Sequence, residues 1–179
     1  MPRLFVAIEL PPALIATLDS YIPRRLPGAR PLRPQQMHLT LHFLGEQQAV
    51  DEIRAALATV QHPAFALRPR GLGAFPPQGR ARVAWAGLDP SPALNELHAA
   101  LGQALLATGH YTPEARPFSP HLTLARFDPP IARTALADWL AQGLAFSAPP
   151  FSVQRFVLMR STLRPEGAVY SVEAAFALG

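Results

Sequence analysis

An α+β protein of two pseudo-symmetric lobes, each with a mainly antiparallel sheet facing a central cleft and helices on the outside, is what this sequence predicts. Three observations lead there. Strand-like and helix-like segments follow in mixed order with short returns and a closing hairpin, which does not suit a doubly wound parallel sheet. The tetrapeptide His-Leu-Thr-Leu occurs twice, at 38–41 and 121–124, the two histidines standing 83 positions apart. The length, 179 residues, suffices for one well-buried core or for two half-sized lobes that share one. A strand can cross between lobes, so residues 1–179 are expected to form a single domain.

Arg3 to Leu10 sets Phe5, Ala7 and Glu9 against Leu4, Val6, Ile8 and Leu10, the period of a strand. Pro11-Pro12 opens a helix from Ala13 to Tyr21. Arg24 to Pro34 reads as a proline- and arginine-rich loop before the first His strand, which Gly45 ends. Val50, Ile53, Ala56, Leu57 and Val60 form a helical stripe with Asp51 and Glu52 near its start, where the helix dipole favours acid. Phe65 to Leu72 and Arg82 to Leu88 read as strands joined by a turn region from Gly73 to Gly79. Pro90-Ser91-Pro92 begins a long helix with Leu94, Leu97, His98, Leu101 and Leu105 on one side. After the second His strand, Pro129-Pro130 begins a helix carrying Leu136, Trp139 and Leu140. Phe151 to Leu163 and Ala168 to Leu178 then pair across the turn at 164–167.

Composition narrows the chemistry. A hydrophobic fraction of 49% with 16% charged residues belongs to a folded chain, and 21 prolines imply stiff loops. No apolar run reaches the roughly 20 residues that cross a bilayer, and the start reads as a strand rather than a leader, so a cytoplasmic location is expected. Without cysteine there are no disulfides, thiolate nucleophiles or ordinary zinc frameworks. All 16 basic residues are arginine, so no lysine amine is present to carry a nucleotide. A net charge of +4 borne by guanidinium suits a polyanionic partner, since arginine binds phosphate bidentately, although an arginine-biased genome explains the same composition.

On a strand, His38 and Thr40 share one face and Leu39 and Leu41 the other, and the second copy repeats the division. Two imidazoles and two hydroxyls facing one another supply a general base, a general acid and donors for an anion, the requirements of phosphodiester cleavage. His42, four residues after His38, would lie on the same strand face, as a structural or cleft-lining group rather than a metal ligand. His62, His98 and His110 are read as solvated, and Trp85 as core. Phe75, in its Gly/Pro loop, serves either to stack on a base or to pack. The arginines at 24, 25, 30 and 33 either guide a polyanion or form a solvated loop.

His38-Leu39-Thr40-Leu41-His42-Phe43-Leu44-Gly45 and Phe118-Ser119-Pro120-His121-Leu122-Thr123-Leu124-Ala125-Arg126 resemble the paired signatures of the 2H phosphoesterases. Within that superfamily the sequence is most similar to the RNA 2′,3′-cyclic phosphodiesterases, historically called 2′-5′ RNA ligases. The likeness extends to Arg3–Ile8, Arg82–Leu88, Leu158–Leu163, Gly167 and Tyr170. It implies hydrolysis of a terminal 2′,3′-cyclic phosphate on RNA to a 2′-phosphate, without metal or cofactor. It implies further a partner that is an RNA end; no membrane, no obligate protein partner and a monomer are expected of the chain besides. His121 would be the proton acceptor and His38 the donor, with the reverse assignment left open by symmetry. Thr40, Thr123 and Arg126 would bind phosphate, and Phe75, His42 and Tyr170 would stack on a base or line the cleft. Strict alternation puts Arg126 with Leu122 and Leu124, so a bulge must turn it into the cleft. Ser119 stands where the family commonly has a basic residue. Reversible ATP-independent 2′-5′ RNA ligation, a small cyclic-nucleotide phosphoesterase, and a non-catalytic RNA-end binding module are the alternatives.

Overall fold

The structure, a computed structural model, describes residues 1–179. Ten strands and four α-helices follow in the order β1 (Arg3–Glu9), α1 (Pro12–Asp19), β2 (Ala29–Pro31), β3 (His38–Glu46), α2 (Val50–Ala58), β4 (Phe65–Leu67), β5 (Pro69–Phe75), β6 (Ala81–Leu88), α3 (Pro92–Ala107), β7 (Leu122–Ile131), α4 (Arg133–Gln142), β8 (Phe151–Val153), β9 (Arg155–Arg164) and β10 (Gly167–Ala177), with one short 3-10 turn at Pro34–Gln36 before β3. One sheet runs β10-β9-β1-β3-β7-β6-β5, with β2 added on β7, and β4 pairs with β8 apart from it. All the strand pairings are antiparallel.

The large sheet is two half-sheets joined at its middle by a single residue pair, Leu39 of β3 with Leu122 of β7. About that junction the chain repeats itself. The first half runs β1, α1, β3, α2, β4, β5, and the second runs β6, α3, β7, α4, β8, β9. Each half gives its last strand to the other's lobe, because β9 pairs with β1 and β5 pairs with β6. The lobes are therefore intertwined in sequence. Only β2 and β10 stand outside the repeat.

Alternation decides what each face holds. Leu4, Val6 and Ile8 of β1 enter the main core with Leu39, Leu41, Leu122 and Leu124 and with the helical leucines 94, 97, 101 and 105. The helices cover that face because their apolar residues recur at three and four positions. Ser91 caps α3 by accepting from the Leu94 amide at 3.1 Å. On the opposite face of the sheet, Phe5 and Ala7 join Val157 and Met159 in a small separate cluster. That face carries the cleft.

Several boundaries differ from the sequence expectation. The 24–34 loop contains β2, whose Arg30 pairs with Arg126. The two long apolar stretches at 65–72 and 151–163 each break after three residues, at Arg68 and Gln154, where the chain leaves the β4–β8 pair for the main sheet. Gly73 to Phe75 belong to β5 rather than to the turn, because Gly73 pairs with Trp85 and Phe75 with Val83. Pro129 and Pro130 end β7 instead of opening α4, which starts at Arg133; the ladder needs few donors at a strand end.

Candidate active site

The Leu39–Leu122 pair sets the geometry of the site. In that antiparallel register His38 stands opposite Thr123, and Thr40 opposite His121. The two imidazoles are thus diagonal neighbours on one face, a relation in which β-carbons lie roughly 7–8 Å apart. One tetrahedral phosphorus group fits between two such rings.

The two rings are held differently, His121 from its own backbone and His38 by the Thr40 hydroxyl. His121 Nδ1 is 2.8 Å from the carbonyl oxygen of Ser119, two residues back. A carbonyl only accepts, so Nδ1 carries the proton and Nε2 offers its lone pair to the cleft. His38 Nε2 lies 2.8 Å from Thr40 Oγ1. The Gln36 backbone, again two residues back, acts to raise the His38 pKa, although His38 Nδ1 makes no formed hydrogen bond. Burial outweighs this and pushes His38 down to about 4, helped by the charges of Arg126 and His121. Burial lowers His121 as well; the Ser119 carbonyl and Glu114 oppose the shift and Arg126 adds to it. Both imidazoles are therefore neutral at pH 7 in the empty cleft, and Arg126 acts on both.

Aromatic rings wall the site on both sides. His38 has Phe5 at 4.8 Å and Tyr170 at 5.3 Å between ring centroids. His121 has Phe75 edge-on at 4.9 Å and Trp85 at 6.5 Å. Trp85 can lie across β5 only because Gly73 has no side chain: a β-carbon there would meet the indole at 2.2 Å. Trp85 is thus a cleft residue rather than core, since it pairs with Thr123 and shares its face.

Matching bulges complete the arrangement. In β3 the register passes from Thr40 opposite Ala7 to His42 opposite Val6, leaving Leu41 unpaired. In β7 it passes from Thr123 opposite Trp85 to Ala125 opposite Ala84, leaving Leu124 unpaired. One extra residue reverses the alternation. Arg126 consequently emerges on the cleft face, by the bulge its position required, with Arg30 of β2 directly opposite. His42 moves the other way. It does not share a face with His38 as alternation suggested, but is buried on the helix side at 6% exposure.

The structure brings together His38, Thr40, His121, Thr123, Arg126, Phe75 and Tyr170, and removes His42 from the cleft. Arg24 is tied to Asp19 instead, at 2.6 Å. The solvated reading of His98 and His62 also fails: His98 is stacked between rings, and the His62 side chain is 10% exposed. Sequence reasoning passed over Phe5 and Phe43. Phe43 is 54% exposed on the cleft face and packs against Phe5. The 83-residue offset would have found it, for it maps Arg126 onto Phe43, the residue that the corresponding bulge projects.

Comparison with known proteins agrees with this geometry. Residues 10–164 match the model of the 2′-5′ RNA ligase superfamily. An RNA 2′,3′-cyclic phosphodiesterase of Thermus thermophilus is 34% identical, over 98% of this chain and 90% of that protein. One from Escherichia coli is 33% identical over 69% of this chain and 71% of its own length. Among solved structures, a Thermus thermophilus protein superposes with a TM-score of 0.77 at 30% identity, covering 98% and 97% of the two chains. E. coli LigT complexed with 3′-AMP gives a TM-score of 0.78 at 27% identity, covering 99% of each. No helix here is long and apolar enough to cross a membrane. By these matches, and by the two His-x-Thr strands meeting at one cleft, the chain belongs to the 2′-5′ RNA ligase superfamily, the 2H phosphoesterases that include the RNA 2′,3′-cyclic phosphodiesterases.

Proposed function

We propose that this protein is an RNA 2′,3′-cyclic phosphodiesterase that opens the terminal ring to a 2′-phosphate by two-histidine acid–base catalysis. The observation that carries the proposal is the diagonal placement of His38 and His121 on one sheet face, each with a threonine opposite it and Arg126 within electrostatic reach of both.

The cyclic phosphate sits between the rings. His121 Nε2, left bare by the Ser119 contact, takes a proton from water as the water oxygen bonds to phosphorus. The bond from phosphorus to the 3′ oxygen breaks, and the proton on His38 passes to that oxygen. His38 is neutral in the empty cleft, and the negative phosphate is what brings it a proton, by opposing the burial that holds its pKa down. Thr40, Thr123 and Arg126 hold the non-bridging oxygens as charge gathers on them. Phe75 and Tyr170, one beside each imidazole, offer faces to the nucleoside. His42 is not among the groups that touch substrate.

With an RNA 5′-hydroxyl in place of water, the same ring opening joins two ends through a 2′-5′ linkage: the 5′ oxygen bonds to phosphorus as its proton passes to His121, and the 3′ oxygen leaves with the proton from His38; with no lysine in the chain, such joining has no adenylated amine to use. One chain supplies every group named, so the protein is proposed to act as a monomer, and in the cytoplasm, where RNA ends are found.

The test is incubation, in chelator, with an RNA ending in a 2′,3′-cyclic phosphate, followed by identification of the product. A 2′-phosphate that disappears with His38→Ala and with His121→Ala is expected. Tight binding with no turnover by the native protein would instead make it a binding module and overturn the proposal.

A further inference from the structure

His42 lies outside the cleft, yet it is the most heavily engaged imidazole in the molecule. Its Nε2 is 2.8 Å from the His98 carbonyl oxygen, and its Nδ1 is 2.7 Å from the Tyr111 hydroxyl. The carbonyl can only accept, so Nε2 donates and Nδ1 accepts from the tyrosine O–H. The His42 ring stacks on His98 at 4.0 Å and 19°, and His98 stacks on Phe118 at 3.8 Å and 9°. Gly102, inside α3, lets the ring approach the helix: a β-carbon there would stand 3.2 Å from His42 Cε1.

This column ends one residue from the group that orients His121. Phe118 precedes Ser119, whose carbonyl accepts from His121 Nδ1. Residues 110–121, the approach to the second motif, contain no helix or strand and make no backbone–backbone hydrogen bond. The approach to the first motif is held quite differently. There β2 pairs with β7, the Leu32 amide donates to the Leu124 carbonyl at 2.9 Å, and Gln36 Nε2 donates to the Ala168 carbonyl at 3.0 Å. What fixes 110–121 is side chains: Tyr111 on His42, Phe118 on His98, and Gln47 Nε2, which donates to the His110 carbonyl at 3.0 Å.

The duplication shows that His42 is not there as filler. The 83-residue offset places Ala125 at the matching site, fully buried and sufficient for packing in the other lobe. An imidazole replaces it only in the strand that must hold the second motif's approach. We infer that the His42–His98–Phe118 column, anchored on the strand of the first motif, is the positioning device for His121: it sets the Ser119 carbonyl and thereby keeps Nε2 of His121 bare and aimed into the cleft.

The inference rests on the proposed reaction for its kinetic consequence but not for its structural one. His98 is the residue to change, since it is half-buried and touches no substrate. In His98→Ala, nitrogen NMR of the substrate-free protein should show His121 passing from a single Nδ1-protonated tautomer to a mixture, with the His38 signals unmoved. With the cyclic-phosphate RNA, kcat should fall about 10–100-fold, the scale of a misplaced catalytic group, while KM stays within about twofold. His98→Phe keeps a flat ring in the column and should restore both the spectrum and kcat. An unchanged His121 spectrum and kcat in His98→Ala would overturn the inference, and so would a His98→Phe protein as impaired as His98→Ala. A native protein inactive on cyclic phosphate would sink the proposed reaction alone, because the tautomer is read without substrate.

Discussion

His38 and His121 are paid for in burial: each imidazole sits in surroundings that disfavour its charged form, His38 the more strongly. The singly protonated pair that the reaction needs is most abundant between the two free-enzyme pKa values, and both lie below 6.5. The bell-shaped profile of kcat/KM, which reports free-enzyme groups, should therefore peak on the acid side of about pH 6.5. A maximum above about pH 7 would contradict the burial argument. Inorganic phosphate bound in the cleft should raise the His38 pKa from about 4, which a proton NMR titration of its ring would follow. Alanine at either histidine should cost about 10²–10⁴-fold in kcat, the ordinary worth of acid–base assistance, with melting temperature little changed. At this scale the sequence was legible where a motif was duplicated. It was silent on the engagement of His42, because contacts between residues far apart in the chain leave no local mark, whereas the 83-residue offset carried a signal for Phe43 that local alternation did not.

The elements owe their use to irregularities. Without the bulge at Leu124, Arg126 would face the leucine core and Ala125 the cleft; without the one at Leu41, His42 would point at substrate and Phe43 would be buried. A leucine that slips out of register has the same composition as one that does not, so alternation alone put His42 on the wrong side. Gly73 is a second irregularity, an open place in β5 filled by the Trp85 indole. Gly73→Val should displace that indole, raise KM for RNA ends, and destabilise the fold by about 1–3 kcal/mol, the usual cost of overpacking. Denaturant unfolding and steady-state kinetics would check the two effects separately. An unchanged KM would remove Trp85 from the substrate surface. Strand and helix periods were readable in most elements; Gly73–Phe75, read as a turn, yielded to pairing across the sheet, Pro129–Pro130, read as a helix start, end β7 instead, and β2 lay unseen in a segment read as loop.

For the whole molecule, exchange of strands between the halves has consequences for folding and pH. A fragment ending within the 76–80 turn would keep β5 without its partner β6 and β1 without β9, and its complement would lack the reverse. Residues 1–78 and 79–179 should each be unfolded alone by circular dichroism and regain sheet signal on mixing. Either fragment folding by itself would refute the interdependence. Stability should also depend on pH in one direction. His38, His42, His98 and His121 all have folded-state pKa values below 6.5, with His38 and His98 at about 4. Between those values and 6.5 the unfolded chain binds more protons, so stability is complete above pH 6.5 and declines as pH falls toward 4. The denaturation midpoint should drop across that window; a flat profile there would show that these rings are not held neutral by the fold.

What this sequence determined unaided was the reaction's equipment and its doubling: two His-x-Thr strands, arginine as the sole cation, and no cysteine or lysine, all consequences of residue type and order. Tertiary structure alone decided which residues face the cleft beyond the two bulges, which half lends a strand to which lobe, and what steadies the approach to His121. Those matters turn on single-residue register shifts and on contacts between distant parts of the chain, such as His42 with Tyr111 across 69 positions and Arg155 with Glu9 across 146. They are settled by the packing of the whole chain, which no local pattern of side chains encodes.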